Sequence, residues 1–337
     1  MTASEGSGAW ADTLIIGAGL AGLALARELA QSGEQVVVLD KSRRVSGRSS
    51  TRLTGQACLD HGARFFTVRA ERTRAWVGGA LAAGWLAEWT RHVPVWEAGK
   101  LSAETGEGHP RYVPPEGMSV IGRELARDLK VMMQTRVDAV RRQDGLWHAS
   151  CQDGRVFTAR RLVLNLPAPQ IVPLIAGTGV DPAPFRAVQF DPCWAVGALL
   201  EIDLPGAGWP ALRLKNHPVL DWVAREHTKR PPGEAPSLML QARADWSREH
   251  LQDDPATVTS ALLDAAREVV GPLSAVESFA HRWLYATPTA RYPQPYGWDA
   301  SQELGWCGDW CTPDPHGPRV EAALLSGWGL ADELTRN

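Results

Sequence analysis

The chain has 337 residues, 44% of them hydrophobic and 22% charged, and its formal net charge is -3. This length suggests two domains, with three as the alternative, and the composition excludes a disordered chain or a membrane-embedded bundle. Such a small net charge gives no electrostatic support for a nucleic-acid or anionic-membrane partner, so we expect the partner to be a small molecule.

The N-terminal residues and the cysteines bear on the compartment. Residues 1–12 contain no Lys or Arg, so the apolar stretch at 14–26 lacks the basic flank of a signal peptide, and it is too short to cross a bilayer. Five scattered cysteines suit a reducing environment, and we expect a cytoplasmic protein. Cys307 and Cys311 are close enough for a metal or redox pair, but two packed thiols are the favoured interpretation because no second cluster accompanies them.

The first predicted elements form a βαβ unit. Residues 13–16 are an apolar strand, a glycine-rich turn follows, and a helical pattern continues until Gly33. A β-branched strand at 35–39 ends in Asp40. Two strands joined through one helix predict a parallel sheet with a right-handed crossover.

The turn predicts a diphosphate site, because the G-x-G-x-x-G pattern here follows a strand and opens a helix. Gly17 permits the tight turn, Gly19 lets the backbone approach the diphosphate, and Gly22 allows the helix to pack closely on the strand. The helix N-terminus directs free N–H groups at the phosphates, and Asp40 is placed to accept from ribose hydroxyls. The predicted loop ligands are Gly17, Ala18, Gly19, Leu20, Ala21 and Gly22.

The rest of the chain alternates between strands and helices. After an irregular stretch at 41–62, helices are predicted at 70–83 and 119–129, and strands at 131–140 and 161–166, with Asp-Gly turns marking a small meander between these strands. Residues 171–190 are Pro-rich and connective. Strands near 194–202, 218–225, 237–243 and 278–285 and an amphipathic helix at 256–270 predict an antiparallel sheet with a helix on it.

The C-terminal part favours FAD over NAD. A strand at 304–308 ends in Gly308-Asp309, and a helix opens at Arg319-Val320-Glu321. In FAD proteins of this type the Asp takes a ribityl hydroxyl, and the last helix directs its N-terminal dipole at the N1/C2=O edge of the flavin. An NAD-binding domain needs no such C-terminal return.

Several segments resemble the FAD-dependent amine oxidase superfamily. Residues 45–48 match its G-G-R motif with Ser46 in place of the first glycine, and residues 59–66 are similar to the segment that runs beside the flavin. Val137 lies where such proteins bond adenine through the backbone, and residues 162–170 resemble their return strand. The resemblance implies non-covalent FAD held by the loop above together with Asp40, Lys41, Gly47, Arg48, Gly62, Ala63, Arg64, Phe65, Val137, Gly308, Asp309, Arg319, Val320 and Glu321.

Three further segments, 222–229, 241–247 and 281–286, are similar to renalases, particularly the bacterial ones. This resemblance implies an α/β (α+β) fold of the para-hydroxybenzoate-hydroxylase type, in which a Rossmann-like FAD-binding domain is interleaved with an antiparallel-sheet substrate domain. The implied FAD-binding domain is 11–66, 113–172 and 296–337, and the implied substrate domain is 67–112 and 173–295.

The same resemblance implies an activity: a flavin oxidase takes a hydride from 2- or 6-dihydro isomers of NAD(P)H to flavin N5, and O2 becomes H2O2. Such a transfer needs orientation rather than an acid or a base. We therefore name no certain catalytic residue. The candidates for the substrate cleft are His61, Trp222, Arg225, Lys229, Trp283, Tyr285 and Trp310, with a structural role favoured for His61 and core packing an equal alternative for each aromatic.

Other functions stay open at this point. An amine oxidase acting on a small amine would use the same cofactor and O2. An aromatic hydroxylase is disfavoured because Asp153-Gly154 is better explained as a hairpin turn, and a non-catalytic protein is disfavoured by the intact glycines, Asp40 and Asp309. No metal is expected, because the histidines show no metal-ligand spacing.

Overall fold

The computed structural model describes residues 7–102, 108–314, 317 and 319–336. The helices, in chain order, are α1 (Leu20–Gln31), α2 (Glu71–Ala82), α3 (Val120–Leu125), α4 (Ala168–Leu174), α5 (Ala183–Arg186), α6 (Ala244–Glu249), α7 (Pro255–Val270) and α8 (Val320–Thr335). The strands are β1 (Ser7–Ile16), β2 (Val36–Leu39), β3 (Arg52–Leu53), β4 (Cys58–Leu59), β5 (Ala87–Thr90), β6 (Val95–Glu97), β7 (Lys100–Ser102), β8 (Arg111–Val113), β9 (Lys130–Met132), β10 (Val137–Gln143), β11 (Leu146–Cys151), β12 (Val156–Leu164), β13 (Gln189–Leu200), β14 (Ala211–Leu214), β15 (Leu220–Arg225), β16 (Ser237–Ala242), β17 (Ala275–Ala290), β18 (Gly297–Asp299) and β19 (Leu304–Trp306).

The chain divides into two compact units. The first consists of residues 1–49, 121–189 and 288–337, and the second of residues 50–120 and 190–287. These bounds differ from those implied by the sequence: residues 50–66 and 113–120 fall in the second unit, and residues 173–189 and 288–295 fall in the first.

The first unit is built on an eight-stranded sheet in the order β10-β11-β12-β1-β2-β9, with β19 beside β12 and β18 beside β19. Five adjacent strands run parallel to one another, in the order β9, β2, β1, β12 and β19. The strands β10, β11 and the start of β12 form an antiparallel meander. Strand β2 is buried along its whole length, as expected for a parallel strand covered on both faces. The predicted βαβ unit and the meander are both present.

Helices α1 and α8 pack against each other with almost no space between their backbones. A methyl group at Gly327 of α8 would lie 2.1 Å from the carbonyl oxygen of Ala21 of α1. Only glycine allows this approach, because real Cβ atoms do not come so close to a backbone oxygen. The glycine thus fixes the N-terminal half of α1 against the middle of α8.

The second unit is built on a seven-stranded sheet in the order β17-β13-β16-β15-β14-β6-β7. Side chains at alternate positions pack with α7 on one face of this sheet, and α7 contributes Val258, Leu262 and Ala266 to that core. Residues of the intervening positions, Ala195, Leu199 and Met239, face the other way and pack with Ala57 and Leu59. We call this second surface the open face.

Three sequence predictions need correction. The helix predicted at 119–129 ends at Leu125, because the chain then turns through Asp128 at a φ of 65°. The strand predicted at 131–140 is split into β9 and β10 by a turn at Gln134, whose φ is 53°. The stretch at 171–190 overlaps α4, which has Pro173 inside it near its C-terminal end, and contains α5, where Pro184 lies in the first turn and is tolerated there. The mixed α/β class with an interleaved antiparallel sheet is confirmed.

Candidate functional site

The glycine loop lies between the end of β1 and the start of α1. Gly17 has a φ of 107°, and a side chain there would place its Cβ 2.2 Å from the carbonyl oxygen of Asn165. The Asn165 amide donates to the Gly17 carbonyl across 3.0 Å, and a Cβ on Gly22 would lie 2.4 Å from the same amide nitrogen. Asn165 therefore shapes the loop, a role that the sequence motif alone does not reveal.

The N-terminus of α1 is open to an anion. Its N-cap residue is Gly19, no side chain among the described residues caps the helix, and its first turn contains no acidic residue. The first N–H groups of a helix have no acceptor within the helix, and they carry the positive end of its dipole. Leu20 and Ala21, the first two residues of the helix, are buried next to the loop. The arrangement can hold a diphosphate.

Asp40 lies at the end of β2 beside this loop. Its carboxylate accepts from the backbone N–H of Ala18 and from that of Ser42, each at 2.7 Å. The backbone N–H of Thr135 donates to the Asp40 carbonyl at 2.8 Å, which brings the chain leading into Val137 alongside. Asp40 therefore contacts both the glycine loop and the chain that leads into Val137, and its neighbour Lys41 is exposed.

A second loop approaches the first one closely. Ser46 donates its backbone N–H to the Ala18 carbonyl at 2.9 Å, and a Cβ on Gly47 would lie 3.3 Å from the Cα of Gly19. Ser46 adopts a φ of 94°, in the region that favours glycine. Arg48, the next charged residue, forms an ion pair of 2.5 Å with Asp309, although the two are far apart in the chain.

The C-terminal return supplies the other end of this group of residues. The Gly308 N–H donates to the Ser326 hydroxyl at 3.0 Å, which fixes the loop to α8. The N-cap residue of α8 is Arg319, and within the described part of the chain no side chain caps this helix. Arg319 forms ion pairs with Asp314 and, at 3.1 Å, with the buried Glu321 of the first helical turn. The predicted pair Val320 and Glu321 therefore sits at an uncapped helix start.

These observations fit FAD. An uncapped helix N-terminus beside a glycine loop, in which a Cβ would clash, suits a diphosphate. A carboxylate at the end of the second strand suits a ribose. Arg48, Asp309 and the start of α8 provide polar groups in the same unit for the remaining part of the cofactor.

In the second unit, Asp60 is the centre of a buried ion cluster, which we define as Asp60, Glu226, Lys229 and Arg230. The side chains of all four are fully buried. Arg230 lies 2.5 Å from Asp60, and Lys229 lies 2.5 Å from Glu226. Burial acts to raise the pKa of Asp60, but Arg230 and Lys229 outweigh it and hold that pKa below its usual value, whereas burial raises the pKa of Glu226.

The segment after Asp60 is attached to the open face. The Gln241 amide of β16 donates to the Gly62 carbonyl at 2.9 Å. Arg64 forms an ion pair of 2.6 Å with Asp221, and its guanidinium lies 4.8 Å from the centre of the Trp222 ring. Phe65 also packs on Trp222, with ring centres 5.7 Å apart, and Ala63 lies between these anchored residues in the chain. Arg64 thus contacts side chains of the second unit, Asp221 and Trp222. The hydrogen bond from Gln241 to this segment was not predicted from the sequence.

Four rings on the open face form what we call the histidine–tryptophan cluster: His61, Phe279, His281 and Trp283. The last three alternate along β17 and so share one face. His61 and Trp283 are stacked with centres 5.5 Å apart, and His281 lies 4.7 Å from His61 and 4.3 Å from Trp283. The Trp283 indole donates to the His61 carbonyl at 2.8 Å.

Both histidines of this cluster are neutral near pH 7. Burial lowers the pKa of His61 to about 4, and the neighbouring His281 and Arg52 act in the same direction. Burial and Arg52 also lower the pKa of His281. The Arg52 guanidinium lies 4.3 Å from the centre of the Phe279 ring, so the charge next to the cluster is positive.

The remaining predicted cleft residues are spread over different surroundings. Tyr285 follows Trp283 on the same face of β17 and packs on Phe190. Arg225 instead forms an ion pair with Asp203 and donates to the carbonyls of Ala207 and Trp209. These two residues pack against the core between the sheet and α7. Lys229 belongs to the buried ion cluster. Trp310 is buried in the first unit, where its indole donates to the Leu166 carbonyl at 3.0 Å.

The cysteines and other features are simpler. All five cysteines are free, and burial raises the pKa of both Cys307 and Cys311, which makes them poor nucleophiles. Among the described residues, no group of three or more His, Cys, Asp or Glu side chains could hold a metal ion. Over the same residues, no helix is long and apolar enough to cross a membrane.

Known families match both parts of the chain. A profile described as NAD(P)-binding Rossmann-like domain matches residues 15–80, and one described as flavin containing amine oxidoreductase matches residues 69–335. Together they cover the glycine loop, the open face and the C-terminal return. The cofactor that both parts support is FAD.

Solved structures with little sequence identity share the fold. A redesigned putrescine oxidase is 13% identical, with a TM-score of 0.77 over 98% of this chain and 100% of its own. A putative protoporphyrinogen oxidase from Exiguobacterium sp. 255-15 is 12% identical, with a TM-score of 0.76 over 96% and 98%. Cyclohexylamine oxidase from Brevibacterium oxydans IH-35A is 13% identical, with a TM-score of 0.73 over 97% and 100%. Because the family profile spans most of the chain, the protein belongs to the flavin containing amine oxidoreductase family and is an FAD-dependent oxidoreductase.

Proposed function

We propose that this protein oxidises dihydronicotinamide dinucleotides that carry the extra hydride at ring carbon 2 or 6, as the resemblance to renalases implies. The products of this reaction are NAD(P)+ and, from O2, H2O2. The observation that carries the proposal is the chemistry of the open face. It presents stacked aromatic rings and two neutral imidazoles, His61 and His281, which suit a flat, uncharged ring.

The residues of the chain would act by orientation. When bound, FAD supplies a hydride-accepting atom, N5, and a reduced form that O2 reoxidises. Trp283 and Tyr285 provide flat surfaces against which a dihydropyridine can be held in one orientation. The buried ion cluster needs no proton from the substrate, because each of its two carboxyl groups lies against a basic side chain of the same cluster. This agrees with a reaction that requires neither a general acid nor a general base.

In the first unit, the proposed roles follow the geometry of each group. The backbone N–H groups at Gly19, Leu20 and Ala21 would hold the diphosphate of non-covalent FAD, and Asp40 would accept from the ribose. Asp309, oriented by Arg48, would accept from the ribityl chain.

Oxidation of a small amine is the second candidate. It is favoured by the names of two structures of similar fold, which are oxidases of putrescine and of cyclohexylamine. An amine carries a positive charge at neutral pH, however, and at the histidine–tryptophan cluster it would meet the Arg52 guanidinium. Asp60, which precedes His61, already pairs with Arg230. This charge distribution supports the dihydronicotinamide proposal over the amine.

Aerobic turnover separates the two candidates. The purified holoenzyme is supplied with 6-dihydro-NAD, putrescine or cyclohexylamine while dissolved O2 and products are measured. We expect one NAD+ and one H2O2 for each 6-dihydro-NAD consumed, and catalase should return half of the consumed O2. Oxygen uptake with the amines, together with ammonia release and none with 6-dihydro-NAD, would establish the second candidate instead.

A further inference from the structure

The open face carries ring nitrogens that the fold itself does not satisfy. His61 Nδ1 and Trp222 Nε1 are buried and, among the described residues, have no hydrogen-bond partner. His61 is only 9% exposed, so ordinary bulk water does not explain the unmet nitrogen. Buried polar atoms are nearly always paired, and an unpaired one on a candidate functional surface indicates a missing partner.

The surroundings of His61 fix its ring and leave this nitrogen available. The Trp283 indole stacks on the ring at a centre distance of 5.5 Å and also donates to the His61 carbonyl. The edge of Phe279 closes another side at 6.0 Å. Packing therefore holds the ring in place, and the Leu59 carbonyl is a polar neighbour of the ring that acts to raise the His61 pKa.

The charge around this pair selects the chemistry of the partner. A neutral imidazole has one donor and one acceptor nitrogen, so two adjacent imidazoles can match a group that both donates and accepts. Arg52 makes the site unsuitable for a cation. A carboxylate would gain no positive charge from the two imidazoles, because their lowered pKa values keep both rings neutral near pH 7. A neutral carboxamide meets every one of these conditions.

We propose that His61 and His281 form a specificity site for the carboxamide group of the substrate ring. Resting on the proposed function, this inference names the part of a dihydronicotinamide that the open face recognises. One imidazole accepts from the amide NH2 group and the other donates to the amide oxygen. The two histidines act as binding and positioning residues and exchange no proton with the substrate.

A paired substrate and residue change tests this assignment. The 6-dihydro forms of NAD and of its 3-acetylpyridine analogue differ in that the second has a methyl group where the amide NH2 stood. Each is mixed anaerobically with wild-type holoenzyme, and the rate of flavin bleaching at subsaturating substrate is measured. The two rings also differ in intrinsic reactivity, but that difference cancels when the ratio of the two rates is compared between enzyme variants.

The variants His61→Phe and His281→Phe keep an aromatic ring and lose both nitrogens. For the variant that loses the imidazole accepting from the amide NH2 group, we expect the preference for the carboxamide substrate to fall by about tenfold relative to wild type, since one hydrogen bond to a buried group is removed. Loss of the imidazole that donates to the carbonyl oxygen should slow both substrates alike, because both retain that oxygen. His61→Gln and His281→Gln, which retain a donor and an acceptor, should keep most of the preference. His92→Gln, on an exposed histidine, is the control and should leave the ratio unchanged.

The outcomes separate this inference from the function on which it rests. If neither Phe variant changes the ratio of the two rates, the histidines are only structural and the inference is wrong, although the function stands. If no dihydropyridine bleaches the wild-type flavin, the proposed function and the inference both fail. The His281 variants keep the test decisive if a change at the more deeply buried His61 prevents folding.

Discussion

Ser46 stands where the family resemblance expects a glycine, and its backbone keeps the glycine-like φ of 94°. Its hydroxyl is buried with no hydrogen-bond partner among the residues that the structure describes. Its Cβ fits only because Gly122 has no Cβ, since a methyl group on Gly122 would lie 2.6 Å from the Ser46 Cβ. The residue thus carries backbone strain and an unpaired oxygen, while a glycine elsewhere in the first unit makes room for it.

We therefore expect Ser46→Gly to raise the free energy of unfolding by about 1 kcal/mol, because relief of strain and of the unpaired hydroxyl exceeds the added freedom of the unfolded chain. Urea unfolding of the holoenzyme measures the change. Gly122→Ala should destabilise the wild type and do so less in the Ser46→Gly background. A loss of stability in Ser46→Gly would contradict this account of the loop.

His61 gives the protein a specific dependence on pH. Burial lowers its pKa from the ordinary value of 6.5 to about 4 in the folded protein. Because the pKa is lowered, the unfolded chain binds a proton at this histidine between pH 6.5 and about pH 4, whereas the folded protein does not. The free energy of unfolding is therefore unaffected by His61 above pH 6.5 and falls as the pH drops from 6.5 toward 4. His281 acts in the same direction, and Asp60 and the Leu59 carbonyl oppose the shift of His61.

At about pH 5, the His61 contribution corresponds to a loss of about 2 kcal/mol relative to about pH 7. The His61→Gln variant, which cannot be protonated in this range, should show a smaller difference in unfolding free energy between the two pH values. Urea unfolding at both pH values checks this, with His92→Gln as the matched control. An equal loss in wild type and His61→Gln would show that His61 is not the group responsible.

At the scale of elements, glycines set how closely α1 and α8 approach. Gly327→Ala would force Cβ into the Ala21 carbonyl, so we expect the helices to separate and the free energy of unfolding to fall by about 1–3 kcal/mol. Because both helices begin at the proposed FAD site, FAD affinity measured by flavin fluorescence should fall as well. Gly78→Ala in α2, where nothing lies within 4 Å, is the control and should be neutral or stabilising. Unchanged FAD binding in Gly327→Ala would contradict the link between this packing and the site.

The buried ion cluster connects segments that lie far apart in the chain. Arg230 donates to the carbonyls of Cys58 and Pro114 as well as to Asp60, and Asp60 also accepts from Thr51 and from the Met118 N–H. The cluster thus holds the segment that leads into His61.

Removing one charge from this cluster leaves its partner buried and unpaired. We expect Asp60→Asn to lower the free energy of unfolding by about 3–5 kcal/mol. Asp221→Asn, in the half-exposed pair with Arg64, should lower it by less than about 1 kcal/mol. Thermal and urea unfolding distinguish these results. Equally small losses of unfolding free energy in both variants would mean that the buried ion cluster contributes little to the stability of the second unit.

Local patterns allowed the elements around the glycine loop to be predicted from sequence, because a strand, a tight turn and a helix each have their own residue spacing. The splitting of the strand at Gln134 and the early end of α3 could not, because each depends on one non-glycine residue in a left-handed conformation. Nor could β14, a strand of four residues, since its burial arises from pairing with β6 and β15.

At the scale of the whole molecule, the sequence predicted the cofactor better than the arrangement of the substrate residues. The loop, Asp40 and the C-terminal return are marked by glycines and acids at fixed places. Arg225 and Lys229 are charged residues whose partners, Asp203 and Glu226, are not evident from spacing. Asn165 and Gln241 were missed because a single amide gives no sequence signal until folding brings it to a carbonyl.

The proposed function is oxidation of dihydronicotinamide isomers, with FAD bound by the first unit and the substrate ring bound by the neutral, aromatic face of the second. Its most direct test is anaerobic mixing of the yellow holoenzyme with the 2-dihydro, 4-dihydro and 6-dihydro forms of NAD while the flavin absorbance is followed. We predict fast bleaching by the 2- or 6-isomer and slow bleaching by the 4-isomer, which is ordinary NADH. Bleaching by putrescine or cyclohexylamine, with none by any of the three dihydronicotinamides, would contradict the claim.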